Sequence, residues 1–234
     1  MPSSLLRILA ASTLIIACSR SDAASSETAK KSTPATPVAN AAPTESKGPD
    51  TISARADSGR VLGNASAPLW VIEASDFQCP YCKQWHDVAF QDLVDRYVKT
   101  GKIRLAFLNM PLSMHPHAVP AAEAAMCASV QGKFWPMHES LFATQKDWEQ
   151  LPDPTATFTA LADKNGVNMT AWKKCVQDHL TLPMIQGDRE RVTAAHINST
   201  PTFFVGDQVL GGADANLSAA IDAALAKQGK KPGN

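Results

Sequence analysis

The chain lacks an apolar run long enough to span a bilayer. A crossing helix takes about 20 apolar residues, and the one sustained stretch, Ile8 to Ala17, is broken by Ser12 and Thr13 and is roughly half that length. It also lacks a net charge: 22 Lys and Arg stand against 22 Asp and Glu, and no segment gathers the basic residues, so the electrostatic footprint of a nucleic-acid binder is missing. There is no internal repeat, no phosphate-cradling glycine loop and no heptad run, which removes solenoid, nucleotide-binding and coiled-coil readings. From Ser19 to about Arg55 large apolar residues are almost absent; the stretch is Ala, Ser, Thr, Pro, Lys and Glu. Such a composition buries too little surface to offset chain entropy.

What is present begins with an export pattern. A short leader with one basic residue, Arg7, precedes the apolar run, as in a signal peptide. The run ends in LIIACSR, which resembles the bacterial lipobox, where the leader is cut and the cysteine, here Cys18, is lipid-modified. An ordinary signal peptide that happens to hold a cysteine is the alternative. Ser19 stands where an aspartate would favour inner-membrane retention, so the expected location is the periplasmic side of the envelope, at the outer membrane rather than the inner. The expected organisation is a lipoprotein-type signal peptide (1–17), an Ala/Ser/Thr/Pro tether (18–55) reaching about 30 Å as a coil, one domain (56–227), and a flexible tail (228–234). Five cysteines are present, and assigning Cys18 to a lipid leaves four.

Hydrophobic periodicity places those four. LWVIEAS, Leu69 to Ser75, reads as a buried strand. From Pro80, the residues Trp85, Val88, Ala89, Leu93, Val94 and Tyr97 recur at helical spacing until Gly101. IRLAFLNM, Ile103 to Met110, reads as a second strand; Ala118 to about His196 carries several helical patterns and no convincing strand; TFFV and QVLGG read as a hairpin turning at Gly206 and Asp207; Leu217, Ile221 and Leu225 mark a closing helix. The fold class is α/β: strand, helix, strand, helical block, strand, strand, helix.

This order sets Cys79 of the CPYC sequence at a strand-to-helix junction, with Pro80 at the first helical position, where its missing N–H costs nothing. Unpaired N–H groups and the dipole at a helix N-terminus favour a thiolate. Cys82 lies a turn deeper on the same side, placed to resolve a mixed disulfide formed at Cys79. The spacing alone also suits a zinc knuckle.

The second constellation is NSTPTFFVGDQVLGG, in which Thr200 and Pro201 immediately precede a strand; a proline there suits a cis bond or a strand start. Together, the strand plus CPYC, the helical block with QGKFWPMHESLF, the TPTFF hairpin and the last helix resemble the DsbA-like thiol–disulfide oxidoreductases, over roughly Val61 to Leu225. The resemblance implies a thioredoxin fold with a helical insertion at about 112–197 between the second and third core strands. It also implies Cys79 as nucleophile, Cys82 as resolving cysteine, a cis-proline loop at Thr200 and Pro201 that receives the substrate backbone, and no cofactor. Strand addition at Thr200 gives affinity with little sequence preference, so the expected partners are unfolded or extended exported proteins, together with a redox partner that recycles the pair. A monomer is expected.

Glu73 is a carboxylate inside an apolar strand, costly unless paired or neutral. It matches the buried acid beneath the redox pair of such proteins and would relay the proton of Cys82; the alternative is an outward-facing edge residue. His86, four residues after Cys82, shares its helix face, but no fourth ligand stands at a recognisable spacing and no metal is expected. The four cysteines allow three pairings, and the local Cys79–Cys82 pair leaves Cys127 with Cys175 as a structural disulfide, against two separate buried thiols.

Three activities stay open. A dithiol oxidase is favoured, less oxidising than the strongest family members because Tyr81 stands where those carry histidine. Isomerase or reductase duty is the second, and a soft-metal chaperone using Cys79 and Cys82 is a third, of a different class.

Overall fold

The computed structural model describes residues 50–229. The expected signal peptide, Cys18, the tether through residue 49 and the tail from residue 230 lie outside the described residues.

Five strands form one sheet in the order β1-β3-β2-β4-β5: β1 (Val61–Leu62), β2 (Leu69–Ser75), β3 (Ile103–Asn109), β4 (Thr202–Val205) and β5 (Gln208–Gly211). β2 and β3 are parallel, with Glu73 opposite Phe107. β2 and β4 are antiparallel, with Glu73 opposite Phe203. β2 is therefore central, paired along both edges and buried except at the exposed Trp70 and the half-buried Ile72, which is why its sequence reads as a nearly continuous apolar run.

Helix α2 (residues 80–98) follows β2. It is α-helical over Pro80–Trp85 and Gln91–Leu93 and π-wound over His86–Phe90 and Val94–Val98. Six helices occupy the stretch between β3 and β4: α3 (Ala118–Ser129), α4 (Phe134–Ala143), α5 (Gln145–Trp148), α6 (Thr155–Lys164), α7 (Met169–Gln177) and α8 (Leu182–Ala194). The closing helix is α9 (Leu217–Gly229).

Two boundaries differ from the sequence reading. A helix, α1 (Ile52–Gly59), begins inside the expected tether of 18–55, before the expected domain start at 56. Thr51 caps it through a bond from the Ala54 N–H (3.1 Å), and the Ser129 hydroxyl donates to the Ala56 carbonyl (2.6 Å). Gly59 passes so close to Ser129 that a Cβ would lie 2.4 Å from its carbonyl oxygen. At the other end, residues 228 and 229 belong to α9 rather than to a tail.

The insertion packs on the sheet through an aromatic cluster. Phe77 stacks on Phe107 (5.0 Å between centroids) and meets Phe142 (5.1 Å), and His138 lies among them fully buried. Phe134, Trp135, Met137 and Phe142 are all core residues. Cys127 of α3 and Cys175 of α7 are joined by a disulfide with a Cα–Cα separation of 5.8 Å.

A second tie is polar. Asp188 of α8, fully buried, accepts from both terminal nitrogens of Arg60 and from the Asn109 backbone and side chain (3.1 and 2.9 Å). Arg60, which also pairs with Asp57, thereby joins the N-terminal segment to the end of β3 and to the insertion.

Candidate active site

Cys79 caps α2 with extended backbone (φ −71°, ψ 125°), and Pro80 occupies the first turn. Its N–H is taken by the Asp76 carbonyl (3.1 Å), and its own carbonyl accepts from Lys83 N (3.1 Å), which starts the helix. The sulfur thus faces the free N–H groups of Tyr81 and Cys82. Cys79 and Cys82 are both unbridged and buried, while Tyr81 between them is exposed.

The two thiols differ in acidity. Cys79 is lowered to about 6 from an ordinary 9.0; the largest cause is a hydrogen bond from the Cys82 thiol, and the Thr200 side chain and the Cys82 and Tyr81 N–H groups add to it against the opposing effect of burial. Cys82 is pushed well above 9.0, first by burial and then by the negative charge of Cys79. One proton is therefore shared in the reduced pair, and it resides on Cys82.

The Thr200–Pro201 peptide bond is cis. It brings the Thr200 carbonyl oxygen to 3.6 Å from the Cys79 sulfur, a contact that only the protonated thiol can donate to. The Thr200 hydroxyl is buried with no hydrogen-bond partner, and the Thr200 side chain adds to the lowering of Cys79. Beside this loop, a cleft of about 470 Å³ opens between Tyr81, Gln84, Ser199, Thr200, Gly212 and Asp214. The expected site residues Cys79, Cys82, Thr200 and Pro201 are thus brought to one place.

Glu73 is fully buried on the central strand, and neither carboxylate oxygen has a hydrogen-bond partner. Burial raises its pKa from 4.5 to about 8, and Ser75 partly offsets the rise. Ser75 follows on the same strand face and also bears on the Cys82 thiol. The outward-facing alternative for Glu73 is excluded.

His86 does not join a metal set. Its ring stacks on Phe90 and Phe142 (5.1 Å each), and among the described residues no three His, Cys, Asp or Glu side chains are grouped as ligands.

The sequence reading missed the residues that fix the loop before Cys79. The Asp76 carboxylate, buried, accepts from Gln78 N (2.8 Å) and Leu112 N (2.9 Å) and pairs with His115 Nδ1 (2.7 Å). Gln78 donates to the Glu149 carbonyl (2.9 Å) and accepts from His117 N (2.6 Å). Gln145 donates to the carbonyls of Phe77 (2.7 Å) and Cys79 (3.1 Å). All three fasten the loop to the insertion. Polar residues beside CPYC were a visible signal; their partners, distant in the chain, were not.

A sheet with a CXXC pair at a helix N-terminus facing a cis-proline loop defines a thiol–disulfide exchange centre of the thioredoxin type. The thioredoxin family model matches residues 55–223, and the chain belongs to that family. Among curated relatives it is 32% identical over 179 residues to Na(+)/H(+) antiporter NhaA 3 of Salinispora tropica, covering 75% of this chain but 26% of that protein. It is 27% identical over 180 residues to a putative protein-disulfide oxidoreductase of Rickettsia conorii, covering 76% of this chain and 64% of the relative. The chain thus spans about a quarter of the antiporter, and no helix among the described residues is long and apolar enough to cross a membrane. Among solved structures, oxidised BdbD of Bacillus subtilis superposes with a TM-score of 0.65 at 26% identity, covering 72% of this chain and 94% of that one. Alpha-DsbA1 of Wolbachia pipientis shares the fold, with a TM-score of 0.64 at 22% identity over 72% of this chain and 91% of that one.

Proposed function

We propose that the protein is an exported dithiol oxidase, held at the periplasmic face of the outer membrane by a lipid on Cys18. The observation that carries the oxidase direction is the division of acidity within the pair, Cys79 lowered to about 6 and Cys82 pushed up. A thiolate stabilised in the reduced protein makes the corresponding disulfide a stronger oxidant and makes Cys79 the better leaving group.

The reaction follows from that division. A substrate thiolate attacks Cys79 of the disulfide form, the bond to Cys82 breaks, and Cys82 leaves as a thiolate that takes a proton from the neutral Glu73 carboxyl below it. A second substrate thiolate attacks the substrate sulfur of the mixed disulfide, and Cys79 leaves as its stabilised thiolate. The substrate has gained a disulfide and the enzyme two electrons. A redox partner must then remove them.

Substrates are exported proteins in unfolded or extended form, pairing with the main chain at Thr200 and placing a side chain in the adjoining cleft. The relative named as a putative protein-disulfide oxidoreductase supports this reading, and Tyr81, which carries no positive charge, argues for a potential below that of the strongest oxidants. The enzyme acts as a monomer.

The test is a glutathione redox titration with refolding of one multi-disulfide substrate from its reduced and from its scrambled form. Rapid oxidation of the reduced chain is expected. Efficient unscrambling with poor oxidation would replace the oxidase by an isomerase, and tight stoichiometric metal without turnover would replace both by a carrier of soft metal.

A further inference from the structure

The Gln145 side chain is fully buried in the insertion and reaches the main chain on either side of Gln78, its Nε2 donating to the Phe77 carbonyl (2.7 Å) and to the Cys79 carbonyl (3.1 Å). We propose that Gln145 is a positioning residue of the redox pair: its carboxamide bridges these two carbonyls and so holds Cys79 in the extended conformation that directs its sulfur at the N-terminus of α2.

Three observations support a role beyond filling space. The Oε1 atom of Gln145 is buried with no partner, a disfavoured state that a leucine of similar size would avoid. The amide orientation is fixed, because a flip would set an oxygen against two carbonyl oxygens. And Cys79 has no side-chain cap of its own, so its torsions depend on its main-chain bonds. Of the three side chains that tie the loop to the insertion, through Asp76, Gln78 and Gln145, Gln145 is the one whose bond ends on Cys79. The same turn is anchored to α2 by Lys83, whose Nζ donates to the Phe142 carbonyl (3.0 Å).

The chemical consequence follows from geometry. The Tyr81 and Cys82 N–H groups stabilise the Cys79 thiolate only while the sulfur faces them. The amide also draws electron density from the carbonyl of Cys79 itself. Losing it rotates the cap and leaves that carbonyl more negative, and both effects disfavour the thiolate.

This inference rests on Cys79 and Cys82 being the exchanging pair, and its test does not require turnover. In Gln145→Leu, the midpoint of thiolate formation, read by ultraviolet absorbance and by alkylation rate against pH, should rise by about one unit, slowing alkylation near pH 6 about fivefold. The glutathione equilibrium constant should move about tenfold toward the disulfide. In the unmutated reduced protein, the Gln145 side-chain amide protons should exchange with solvent far more slowly than those of an exposed glutamine, a measurement that stands even if the variant does not fold. A variant that melts earlier yet keeps both the midpoint and the glutathione constant, or amide protons exchanging at the solvent rate, would overturn the proposal. An unmutated protein that exchanges no disulfide would strike the reading of the pair, while the thiolate midpoint would still decide the role of Gln145.

Discussion

The Cys79 sulfur lies 3.6 Å from the carbonyl oxygen of Thr200, a residue 121 positions further along the chain. β4 pairs with β2, the strand that leads into CPYC, with Ala74 opposite Thr202. The sheet therefore brings a nucleophile and an extended main-chain edge to the same point. On the proposed function, a peptide that pairs along that edge presents its own sulfur to Cys79.

The division of acidity predicts selective alkylation. Near pH 7 the reduced protein should be modified at Cys79 and hardly at Cys82, and Cys82→Ala should trap mixed disulfides that Cys79→Ala cannot form. Faster labelling of Cys82, read by peptide mapping, would reverse the roles.

A linked prediction concerns the stability of the reduced form. An acid depressed from 9.0 to about 6 contributes stability that is complete above pH 9 and is lost as pH falls through 6. Because Cys82 is raised, it opposes this above pH 9, where the unfolded chain would ionise it. Relative to Cys79→Ser, in which titrations other than those of the coupled pair cancel, the reduced protein should gain stability from pH 6 to 9 and no further. Denaturant midpoints that do not separate over that window would contradict the shift.

Glu73 predicts the opposite slope. A carboxyl whose value rises from 4.5 to about 8 on folding destabilises the fold progressively between those values, because the unfolded chain ionises first. Near pH 7 that cost is on the order of 3 kcal/mol. Glu73→Gln should unfold at higher denaturant near pH 7, lose the advantage near pH 4, and slow proton delivery to Cys82. A variant no more stable at neutral pH would show that Glu73 is charged and paired.

These effects differ in how far the sequence revealed them. Glu73 was legible because an acid inside LWVIEAS violates strand patterning, and Cys79 because a proline follows it at a helix start. Helix α1 was not legible: ISARADSG carries little apolar signal, Ala56 is its one buried residue, and it is held by Ser129. Asp76, Gln78 and Gln145 look like ordinary polar residues, since their role lies in bonds to segments that only the fold brings near. Asp188 likewise sits on a largely polar helix, and only its partners explain why it is buried.

That buried pair gives a further prediction. Removing Arg60 while keeping Asp188 takes away the buried cation and leaves the carboxylate only the exposed Arg191 at 3.4 Å, a loss that reaches about 3–5 kcal/mol where a buried charge is left unpaired. Arg60→Met should therefore be strongly destabilising, and Arg60→Met with Asp188→Leu much less so. Additive losses in a double-mutant cycle, measured by denaturant unfolding, would show that the two residues are not coupled.

The Cys127–Cys175 bridge separates stability from chemistry. It closes a loop of 48 residues, and the chain-entropy model assigns such a closure about 4 kcal/mol. In a domain of this size that corresponds to a fall in melting temperature of roughly 10 °C. The bridge joins two helices of the insertion, and none of the hydrogen-bond partners of Cys79 lies on either. The double variant Cys127→Ala with Cys175→Ala should therefore melt earlier and keep the Cys79 alkylation midpoint. In the unmutated protein, mild reduction should open Cys79–Cys82 first, because a pair with a stabilised thiolate is the easier to reduce. Peptide mapping under non-reducing conditions should then still recover Cys127 linked to Cys175. Finding both residues free, or a Cys79 midpoint that moves with the double variant, would show that the insertion's bridge and the redox pair are not independent.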